Sequence, residues 1–486
     1  MATNNCLMDL KIIGREEEIA ILQRLKKSNF PELLAIYGRR RVGKTYLIKT
    51  YYASNITFDC SGQSNATIEL QLINFVRRLN KSFQPSEPLV TPRTWQEAFG
   101  QLQDCLDSIK GANKKVLFFD ELPWLDSHKS GFLSAFGYFW NMYASERSDL
   151  LVVICGSAAS WMIKKVVNNK GGLHNRITQR IRLLPFTLKE TEDYLKYRSI
   201  TFEPIQLLQL YMVVGGVPHY LNAIERGRSV QQNIEKLCFS KDGLLADEFD
   251  NLYSALFSFP ERHIQIIHAL SKKNKGLTRK ELAVSAKIHT GGTLSNVLDE
   301  LTESGFIEKM YPFSNKNKES LYRLTDEFSL FYFRFMHNVK DYEEGQWLAQ
   351  STTPAYLSWC GYAFENVCLR HIPKIKKALG INGVLSSQSS WYKSGTKNSK
   401  GAQIDLLIDR NDRCINICEM KFGTSPFVIE KKYATYLRER LMLFRQETNT
   451  RKALFQTFVT TCGVADNEYK MQVVDCEVTM EDLLKA

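Results

Sequence analysis

Short apolar runs separated by amphipathic stretches mark the first part of the chain. The run LLAIY at 33–37 predicts a buried strand, and TYLIKTYYA at 45–53 predicts a helix after it. Two further buried strands are expected at 116–119 and in the stretch 149–162, where the strand ends at Gly156-Ser157. Strands that alternate with helices are typical of an α/β fold with a parallel sheet.

The pattern becomes helical after Pro185. The stretches 187–198 and 205–216 predict helices, and Pro218 stands where another helix can begin. Residues 260–326 predict three helices followed by a hairpin, the order of a winged helix. Within this stretch Thr278 and Glu281 form a capping box at a helix start. Gly305 is the expected stop of the third helix.

The last part of the chain combines a helix with a strand pair. Residues 357–380 predict a helix, and 401–422 predict two apolar strands joined by a polar turn at 409–413. In an antiparallel hairpin centred near 411–412, Asp405 pairs within one residue of Glu419. Glu419 and Lys421 are two residues apart and therefore project from the same face, and Gln403 shares the face of Asp405.

The length of the chain implies several domains, because 486 residues are too many for one hydrophobic core. No apolar run approaches the ~18 residues of a membrane span, and the N-terminus lacks the apolar core of a signal peptide. We therefore expect a cytoplasmic protein without a membrane partner. The predicted domains are an α/β core at 1–186, a helical segment at 187–258, a winged helix at 259–338 and a last domain at 339–486.

Net charge and cysteine content give weaker indications of function than the hydrophobic pattern. The net charge of +12 favours a polyanionic partner such as nucleic acid, although many basic proteins bind none. The 11 cysteines are scattered without a C-x-x-C pair, which argues against zinc and against disulfides.

The stretch YGRRRVGKTYL at 37–47 carries the most specific motif of the chain. Gly38, Gly43, Lys44 and Thr45 match G-x-x-x-x-G-K-[ST], the P-loop, between a predicted strand and a predicted helix. The glycines let backbone N–H groups face a phosphate, and the helix N-terminus adds a favourable dipole. Lys44 is expected to reach the β and γ phosphates, and the Thr45 hydroxyl to ligate Mg²⁺.

Three arginines, Arg39, Arg40 and Arg41, stand in this loop before Val42. A cradle of main-chain groups does not need them, and an unpaired guanidinium is costly to bury. We therefore expect them to point outward, where they strengthen the positive field over the nucleotide or pair with acidic groups. A solvated basic loop is the alternative. With Val42 they complete the nucleotide-binding residues predicted in the loop.

Later strand ends supply candidate catalytic residues. Asp120 is predicted to hold Mg²⁺ through water, and Glu121 to polarise the attacking water. Ser157 is placed to sense the γ-phosphate, with a simple strand-to-turn stop as the alternative. Arg176 and Arg180 are candidates to reach the γ-phosphate in cis or from a second subunit, which leaves a homo-oligomer among the partners to consider.

These segments resemble a known family. The archaeal-type P-loop ATPases of the AAA/STAND group, also found in bacteria, are similar over residues 10–225 in five ordered segments: IIGREEEIA, YGRRRVGKT, LFFDELPWL, ICGSAASWM and RIRLLPF. The resemblance implies ATP as the nucleotide, Gly14-Arg15 near the adenine, and a helical lid. The arginine-rich loop is a hallmark of the family, whereas Asn175-Arg176 replaces its usual Gly-Arg.

The predicted winged helix carries conflicting signs about DNA. The exposed face of its third helix has no Lys or Arg, which is unusual for a recognition helix: Thr293, Asn296, Asp299, Glu300 and Glu303. The basic residues lie on the flanks and the wing: Lys272, Lys273, Lys275, Lys316 and Lys318. DNA contact and a role as an inter-domain spacer or protein-contact module both stay open.

The C-terminal pattern predicts a metal-dependent site. Asp405 and Glu419 are expected to bind Mg²⁺, and Lys421 to orient water or stabilise a pentavalent phosphate, as phosphodiester hydrolysis requires. With Glu365 on the preceding helix, these predicted catalytic residues resemble the PD-(D/E)XK restriction-endonuclease-like fold, which commonly follows the ATPase family above. A surface salt-bridge pair and an inactive descendant kept for binding are the alternatives.

Three functional hypotheses follow. The first is an ATPase coupled to a nuclease-like domain that acts on DNA or RNA. The second is a STAND-like signalling switch whose C-terminal domain is a silent sensor or scaffold. The third is an ATP-dependent oligomerisation protein without a nucleic-acid partner.

Overall fold

The chain folds into two compact units, Met1–Leu184 and Pro185–Ala486. The computed structural model describes residues 11–109, 111, 113–167, 171–173, 175–257, 259–273, 275–313, 320–339, 343–395 and 401–485. Every helix in these ranges is too short or too polar to traverse a lipid bilayer.

A parallel five-stranded sheet forms the centre of the first unit, in the order β2-β3-β4-β1-β5. The strands are β1 (Glu32–Tyr37), β2 (Ile56–Ser61), β3 (Lys115–Asp120), β4 (Leu150–Gly156) and β5 (Gln179–Arg182). The predicted α/β fold with a parallel sheet is thereby confirmed for this unit.

Helices cover both faces of this sheet because parallel strands need crossover connections. They are α1 (Glu16–Lys27), α2 (Lys44–Tyr51), α3 (Ile68–Phe83), α4 (Trp95–Asp107), α5 (Leu122–Leu125), α6 (Phe132–Met142) and α7 (Ala159–Trp161). Alternate residues of β1 enter opposite cores. Leu33 packs in the cluster with α3, α4 and α6, whereas Leu34 packs in the cluster with α1 and α2.

The second unit begins with helices, as the pattern after Pro185 predicts. They are α8 (Leu188–Tyr197), α9 (Pro204–Val214), α10 (Pro218–Leu221), α11 (Val230–Cys238) and α12 (Glu248–Leu256). Pro218 is the first residue of α10, where its missing N–H costs nothing.

The predicted order of three helices and a hairpin is confirmed in the next stretch. It contains α13 (Pro260–Ser271), β6 (Leu277–Thr278), α14 (Arg279–Ser285), α15 (Gly292–Glu303), β7 (Ile307–Met310) and β8 (Leu321–Leu324). Strands β7 and β8 are antiparallel. Thr278 and Glu281 form both bonds of the expected capping box.

The single helix expected at 357–380 is wrong. After α16 (Glu327–Phe331) and α17 (Gln346–Gln350), the chain forms α18 (Pro354–Arg370) and a separate α19 (Ile372–Ala378). The break falls at His371, two residues before Pro373. Proline lacks the N–H that a continuing helix requires and fits only in a first turn, where α19 places it.

The C-terminal sheet is mixed, in the order β13-β12-β11-β10-β9. Its strands are β9 (Ser386–Lys393), β10 (Ala402–Arg410), β11 (Cys414–Lys421), β12 (Ala453–Thr460) and β13 (Cys476–Thr479). The predicted hairpin is β10–β11, and β11, β12 and β13 run parallel. The remaining helices are α20 (Lys431–Thr448), α21 (Glu468–Val473) and α22 (Met480–Leu484).

The largest buried cluster of the second unit joins its helical part to its C-terminal sheet. It joins Tyr211 of α9, Leu298 of α15, Phe364 of α18 and Cys418 of β11. Helix α18 contacts both α9 and β11. The helical stretch, the hairpin and one side of the C-terminal sheet therefore share this core, while two smaller clusters, around Phe444 and around Phe458, lie elsewhere in the same sheet region.

Candidate functional site

The loop 38–45, which we call the phosphate loop, connects β1 to α2 and turns tightly around the Lys44 ammonium. Lys44 Nζ donates hydrogen bonds to the carbonyls of Gly38 and Arg39, each 2.8 Å long. Gly38 has φ +149°, and a Cβ there would lie 2.2 Å from Leu183 O. Only glycine therefore allows this close approach between the loop and the chain after β5.

Lys44 is 6% exposed. Burial lowers the pKa of Lys44, while Cys155, Glu121 and Asp120 act in the opposite direction. Its described hydrogen bonds go to main-chain carbonyls, so the ammonium charge faces no directly bonded carboxylate. Such a cation is a counter-charge for an anionic ligand of the loop.

The ends of three adjacent strands bring the other predicted residues of this site together. Strand β4 lies between β1 and β3, so Ser157 and Asp120 meet beside the phosphate loop. Thr45 Oγ1 donates to Asp120 Oδ2 at 2.7 Å. Ser157 Oγ donates to Glu121 Oε2 at 2.9 Å, and its backbone N–H donates to the same oxygen at 3.3 Å. The Thr45 hydroxyl and the Asp120 carboxylate are oxygen ligands of the kind that Mg²⁺ prefers.

The three loop arginines do not share one environment. Arg39 is 3% exposed, so the expectation that it points outward is wrong. The hydrogen bond from Lys44 to its carbonyl holds residue 39 close to the protein interior. The guanidinium of Arg40 lies 5.2 Å from the Trp124 ring centroid, a cation–π contact. Arg41 is half-buried with φ +68°.

Arg15 ties the start of the unit to the loop. Its Nη2 donates to Val42 O at 3.2 Å, and the side chain is buried. The resemblance placed Gly14-Arg15 near an adenine. The contact supports the phosphate loop, and a position near an adenine stays a prediction.

Arg176 and Arg180 are both exposed. Arg180 pairs with Ala35 in the middle of β1, not with the strand end that precedes the loop. Within the described ranges neither side chain forms a hydrogen bond or an ion pair. Their role toward a γ-phosphate stays a prediction.

A second group, the acidic site, consists of Glu365 on α18, Asp405 on β10, and Glu419 and Lys421 on β11. The register that pairs Leu406 with Cys418 places Asp405 opposite Glu419. The register between β9 and β10 shifts between Ile404 and Leu407, so Asp405 lies at a bulge. Bulges of this kind redirect a side chain next to functional sites.

Glu419 is fixed by three partners. Arg440 Nη1 on α20 donates to Oε2 at 2.6 Å, and Lys421 Nζ and Tyr433 Oη approach Oε1 at 2.8 and 2.5 Å. Burial raises the pKa of Glu419, but Arg440 and Lys421 outweigh burial and bring it to about 2. Glu419 is therefore a carboxylate at any physiological pH.

Glu365 differs from Glu419 in the direction of its pKa shift. Burial and the neighbouring Asp405 raise the pKa of Glu365 to about 7, although Arg323 and Lys421 favour its charged form. Asp405 accepts a hydrogen bond from Gln403 Nε2 at 2.5 Å. The acidic site thus pairs a permanently charged carboxylate with one that exchanges its proton near neutral pH. Nowhere in the described ranges do three His, Cys, Asp or Glu side chains form a metal-binding group.

The third helix of the 260–326 stretch keeps its acidic face. Thr293, Asn296 and Asp299 of α15 are exposed, and Glu300 accepts from His263 Nε2 at 2.9 Å. Among the basic residues, Lys272, Lys273 and Lys275 are exposed, whereas Lys316 and Lys318 lie outside the described residues.

Comparison with known proteins identifies the domain that contains the first of these sites. Residues 12–224 match a family model described as an ATPase domain predominantly from Archaea. This segment is an archaeal-type ATPase domain. The match includes the phosphate loop, Asp120, Glu121 and Ser157, so the ATPase domain contains the whole first site.

The chain is similar to three individual proteins at low identity. The uncharacterized protein MJECL04 of Methanocaldococcus jannaschii is 26% identical over 417 residues, 84% of this chain and 87% of that protein. The Walker-type ATPase PABY2304 of Pyrococcus abyssi has a TM-score of 0.49 at 18% identity, over 66% of this chain and 96% of that one. The ORC1 protein of Aeropyrum pernix in complex with DNA has a TM-score of 0.33 at 13% identity, over 66% and 92%.

The sequence pattern missed two arginines at the acidic site, downstream of the ATPase domain. Arg440 shares the buried face of α20 with Ala434, Leu437 and Phe444. A lone arginine in an apolar helical stripe is a readable sign of a buried ion pair. Arg323 of β8 gives no such sign, because both faces of that short strand are buried.

Proposed function

We propose that this protein is an ATP-hydrolysing switch whose ATPase domain controls a nuclease-like domain that acts on nucleic acid. The observation that carries the nuclease half is the acidic site. Asp405 and Glu419 face each other across a hairpin, and Lys421 Nζ lies 2.8 Å from Glu419. These are the groups that metal-assisted phosphodiester hydrolysis uses.

In the ATPase domain, residues of the phosphate loop bind the triphosphate of ATP, which supplies the phosphoanhydride bond that is cleaved. The fit rests on two features: the close approach that requires Gly38, and the buried Lys44 ammonium beside the free ends of β3 and β4. Thr45 and Asp120 would hold Mg²⁺.

Glu121 orients the attacking water in this proposal. Its carboxylate is fixed by Ser157 through two hydrogen bonds, so Ser157 both positions the base and lies where a γ-phosphate is sensed. Arg176 is exposed and available to complete the site of a second subunit.

The second unit then contains three parts in chain order. Residues 187–258 form the helical lid, 259–338 a winged helix, and 339–486 a PD-(D/E)XK-like domain. The acidic face of α15 and the exposed lysines at 272, 273 and 275 favour contact with nucleic acid through the flanks of the winged helix rather than its third helix.

A second candidate function is a STAND-like switch whose C-terminal domain cuts nothing. Two observations favour it. Both oxygens of Glu419 already bond to Arg440, Lys421 and Tyr433. The described ranges also hold no three-residue metal-binding group. A metal ion at Glu419 has to displace one of these partners.

A nuclease assay with and without ATP separates the two functions. Labelled single- and double-stranded DNA and RNA are incubated with Mg²⁺ or Mn²⁺ and wild-type, Lys44→Ala, Asp405→Ala or Lys26→Ala protein. Lys26 is an exposed residue of α1 and controls for the loss of a lysine. We expect Lys44→Ala to lower ATP turnover by at least about a hundredfold. We expect Asp405→Ala to abolish cleavage and keep ATP turnover.

The outcomes are distinct. ATP turnover without cleavage of any substrate by the wild type supports the silent switch. Equal ATP binding and turnover by Lys44→Ala and wild type contradicts the role of the phosphate loop, and with it both functions.

A further inference from the structure

A buried arginine from outside the C-terminal sheet lies beside the acidic site. Arg323 on β8 is 4% exposed. Its Nη2 is 4.0 Å from Glu365 Oε2, within ion-pair range but beyond hydrogen-bond range. Its guanidinium also lies 5.7 Å from the Tyr362 ring centroid. Arg323 therefore faces Glu365 on α18.

Main-chain contacts fix the β7–β8 hairpin against the sheet that carries this site. Phe313 N donates to Ser390 O at 2.8 Å, and Pro312 forms a parallel bridge with Ser390 of β9. Lys275, next to β6, lies 4.5 Å from the ring centroid of Tyr392 on the same strand. Strand β9 pairs with β10, which carries Asp405. Arg323 thus belongs to the same packed structure as the acidic site.

The Arg323 guanidinium is only partly satisfied by its surroundings. In the part of the chain that the structure describes, Nε and Nη2 have no hydrogen-bond partner. Leaving a buried donor unsatisfied is unfavourable, and most of all for a charged group. Buried polar groups without partners are uncommon in folded proteins and ask for an explanation.

The two unsatisfied atoms indicate the kind of ligand. Nε and Nη2 form one edge of the guanidinium, with two nearly parallel N–H groups. This edge matches the paired oxygens of a phosphate or carboxylate in a bidentate contact. Arg440, which is also 4% exposed, leaves the same two atoms without a partner in the described ranges, while its Nη1 bonds to Glu419.

The nearby carboxylates do not satisfy this edge of Arg323. The Glu365 oxygen stands 4.0 Å from Nη2, beyond hydrogen-bond range. Both oxygens of Glu419 already bond to other side chains, those of Lys421, Tyr433 and Arg440. An anion that enters the site can therefore supply the missing acceptors.

We propose that Arg323 is a phosphate-binding residue of the acidic site and that its Nε and Nη2 donate to two oxygens of one phosphate in a nucleic-acid strand. The inference rests on the proposed nucleic-acid function of this part of the chain and names a residue that the predicted motif does not contain. The site is then shared between the β7–β8 hairpin and the C-terminal sheet.

Binding of labelled DNA and RNA oligonucleotides tests this role without cleavage. Fluorescence anisotropy of the full chain is measured in Ca²⁺ or EDTA across a salt series. We expect Arg323→Gln to weaken binding at least about tenfold and to reduce the salt slope by about 1. Arg323→Lys keeps the charge but loses the two-donor edge, so its affinity is expected between the two.

Arg226→Gln is the matched control, because Arg226 is exposed in the same unit and has no hydrogen bond or ion pair within the described ranges. Its affinity is expected to stay within about twofold of wild type. Thermal unfolding of each variant separates loss of fold from loss of binding. If Arg323→Gln does not fold, Arg323→Lys decides: a folded variant of intermediate affinity supports the proposal.

Three results overturn the proposal. One is wild-type affinity and salt slope in a folded Arg323→Gln or Arg323→Lys variant, which leaves Arg323 as a structural partner of Glu365. Another is equal weakening by Arg226→Gln. The third is a wild-type chain that binds no oligonucleotide. Loss of cleavage in Asp405→Ala with binding intact concerns the nuclease function alone, so the two proposals fail separately.

Discussion

The phosphate loop and the acidic site both surround a cation, but they build its surroundings differently. Lys44 is held by two main-chain carbonyls within the loop that carries it. Arg440 is held by the carboxylate of Glu419, on a strand that precedes its helix in the chain. The first cation bonds to no carboxylate, whereas the second is paired with one inside the protein.

This difference shows why one site is easier to predict from the sequence than the other. The first site needs residues with fixed spacing next to strand ends, because backbone geometry does the binding. The acidic site and the two arginines beside it come from five separate elements: β8, α18, β10, β11 and α20. Only long-range packing decides which of these side chains meet. Variants that remove one partner at each site measure how far this contrast extends.

The largest effect is expected from Arg440→Met, which leaves the charge of Glu419 buried without its main partner. We expect the free energy of local unfolding of β11 and α20 to fall by about 3 kcal/mol. Breaking a buried ion pair leaves one charge without its partner. The pKa of Glu419 should also rise from about 2. Hydrogen exchange of peptides from both elements at increasing urea gives this free energy.

Arg438→Met is the control for this change. Arg438 is exposed on the same helix and bonds to Gln472 at 2.8 Å. Its loss should cost well under half as much, since an exposed polar contact contributes little. Equal costs for the two variants mean that the acidic site does not depend on the Arg440 pair.

A moderate effect is expected from Ser157→Ala in the ATPase domain. Removing the hydroxyl that bonds to Glu121 at 2.9 Å leaves the carboxylate less well oriented. ATP turnover should fall about tenfold, the value of one hydrogen bond to a charged group, while ATP affinity stays unchanged. Steady-state kinetics and calorimetry separate the two quantities.

Ser148→Ala controls for this substitution, because the Ser148 side chain is exposed before β4. Turnover in Ser157→Ala equal to that of Ser148→Ala means that the bond to Glu121 does not orient the base. A tenfold loss of ATP affinity instead assigns Ser157 to nucleotide binding.

The smallest effect is expected in the pH dependence of thermal stability. The folded pKa of Glu365, about 7, lies above its ordinary value near 4.5. Its contribution to stability is present below pH 4.5 and is lost as pH rises through 7. Glu365→Gln does not titrate, so its melting temperature relative to wild type should be higher at pH 8 than at pH 5. Thermal unfolding at both values measures the difference.

Glu439→Gln, an exposed carboxyl on α20, supplies the reference for that comparison. If the melting temperature relative to wild type changes equally between pH 5 and pH 8 in both variants, Glu365 is not the source of the pH dependence. A relative melting temperature that falls with pH contradicts the raised pKa.

The sequence predicted which residues meet at the first site, since apolar runs fix strand positions and the loop motif is contiguous. It misjudged Arg39, because composition cannot tell which of three adjacent arginines turns inward. The break before α19 was readable from Pro373. Strand β9 was not predicted, because its edge position leaves it mostly polar, SSQSSWYK. Arg323 lies 42 positions from Glu365 along the printed sequence, and only tertiary packing brings them together.

The shared core of the second unit restricts how its parts can be recombined. Tyr211, Leu298 and Cys418 belong to the one buried cluster, although they lie in three different predicted domains. A fragment that begins at residue 339 exposes the apolar side of α18 that packs on α9. Gene fusions or engineered chimeras that transfer the acidic site must therefore carry Pro185–Ala486 as one block.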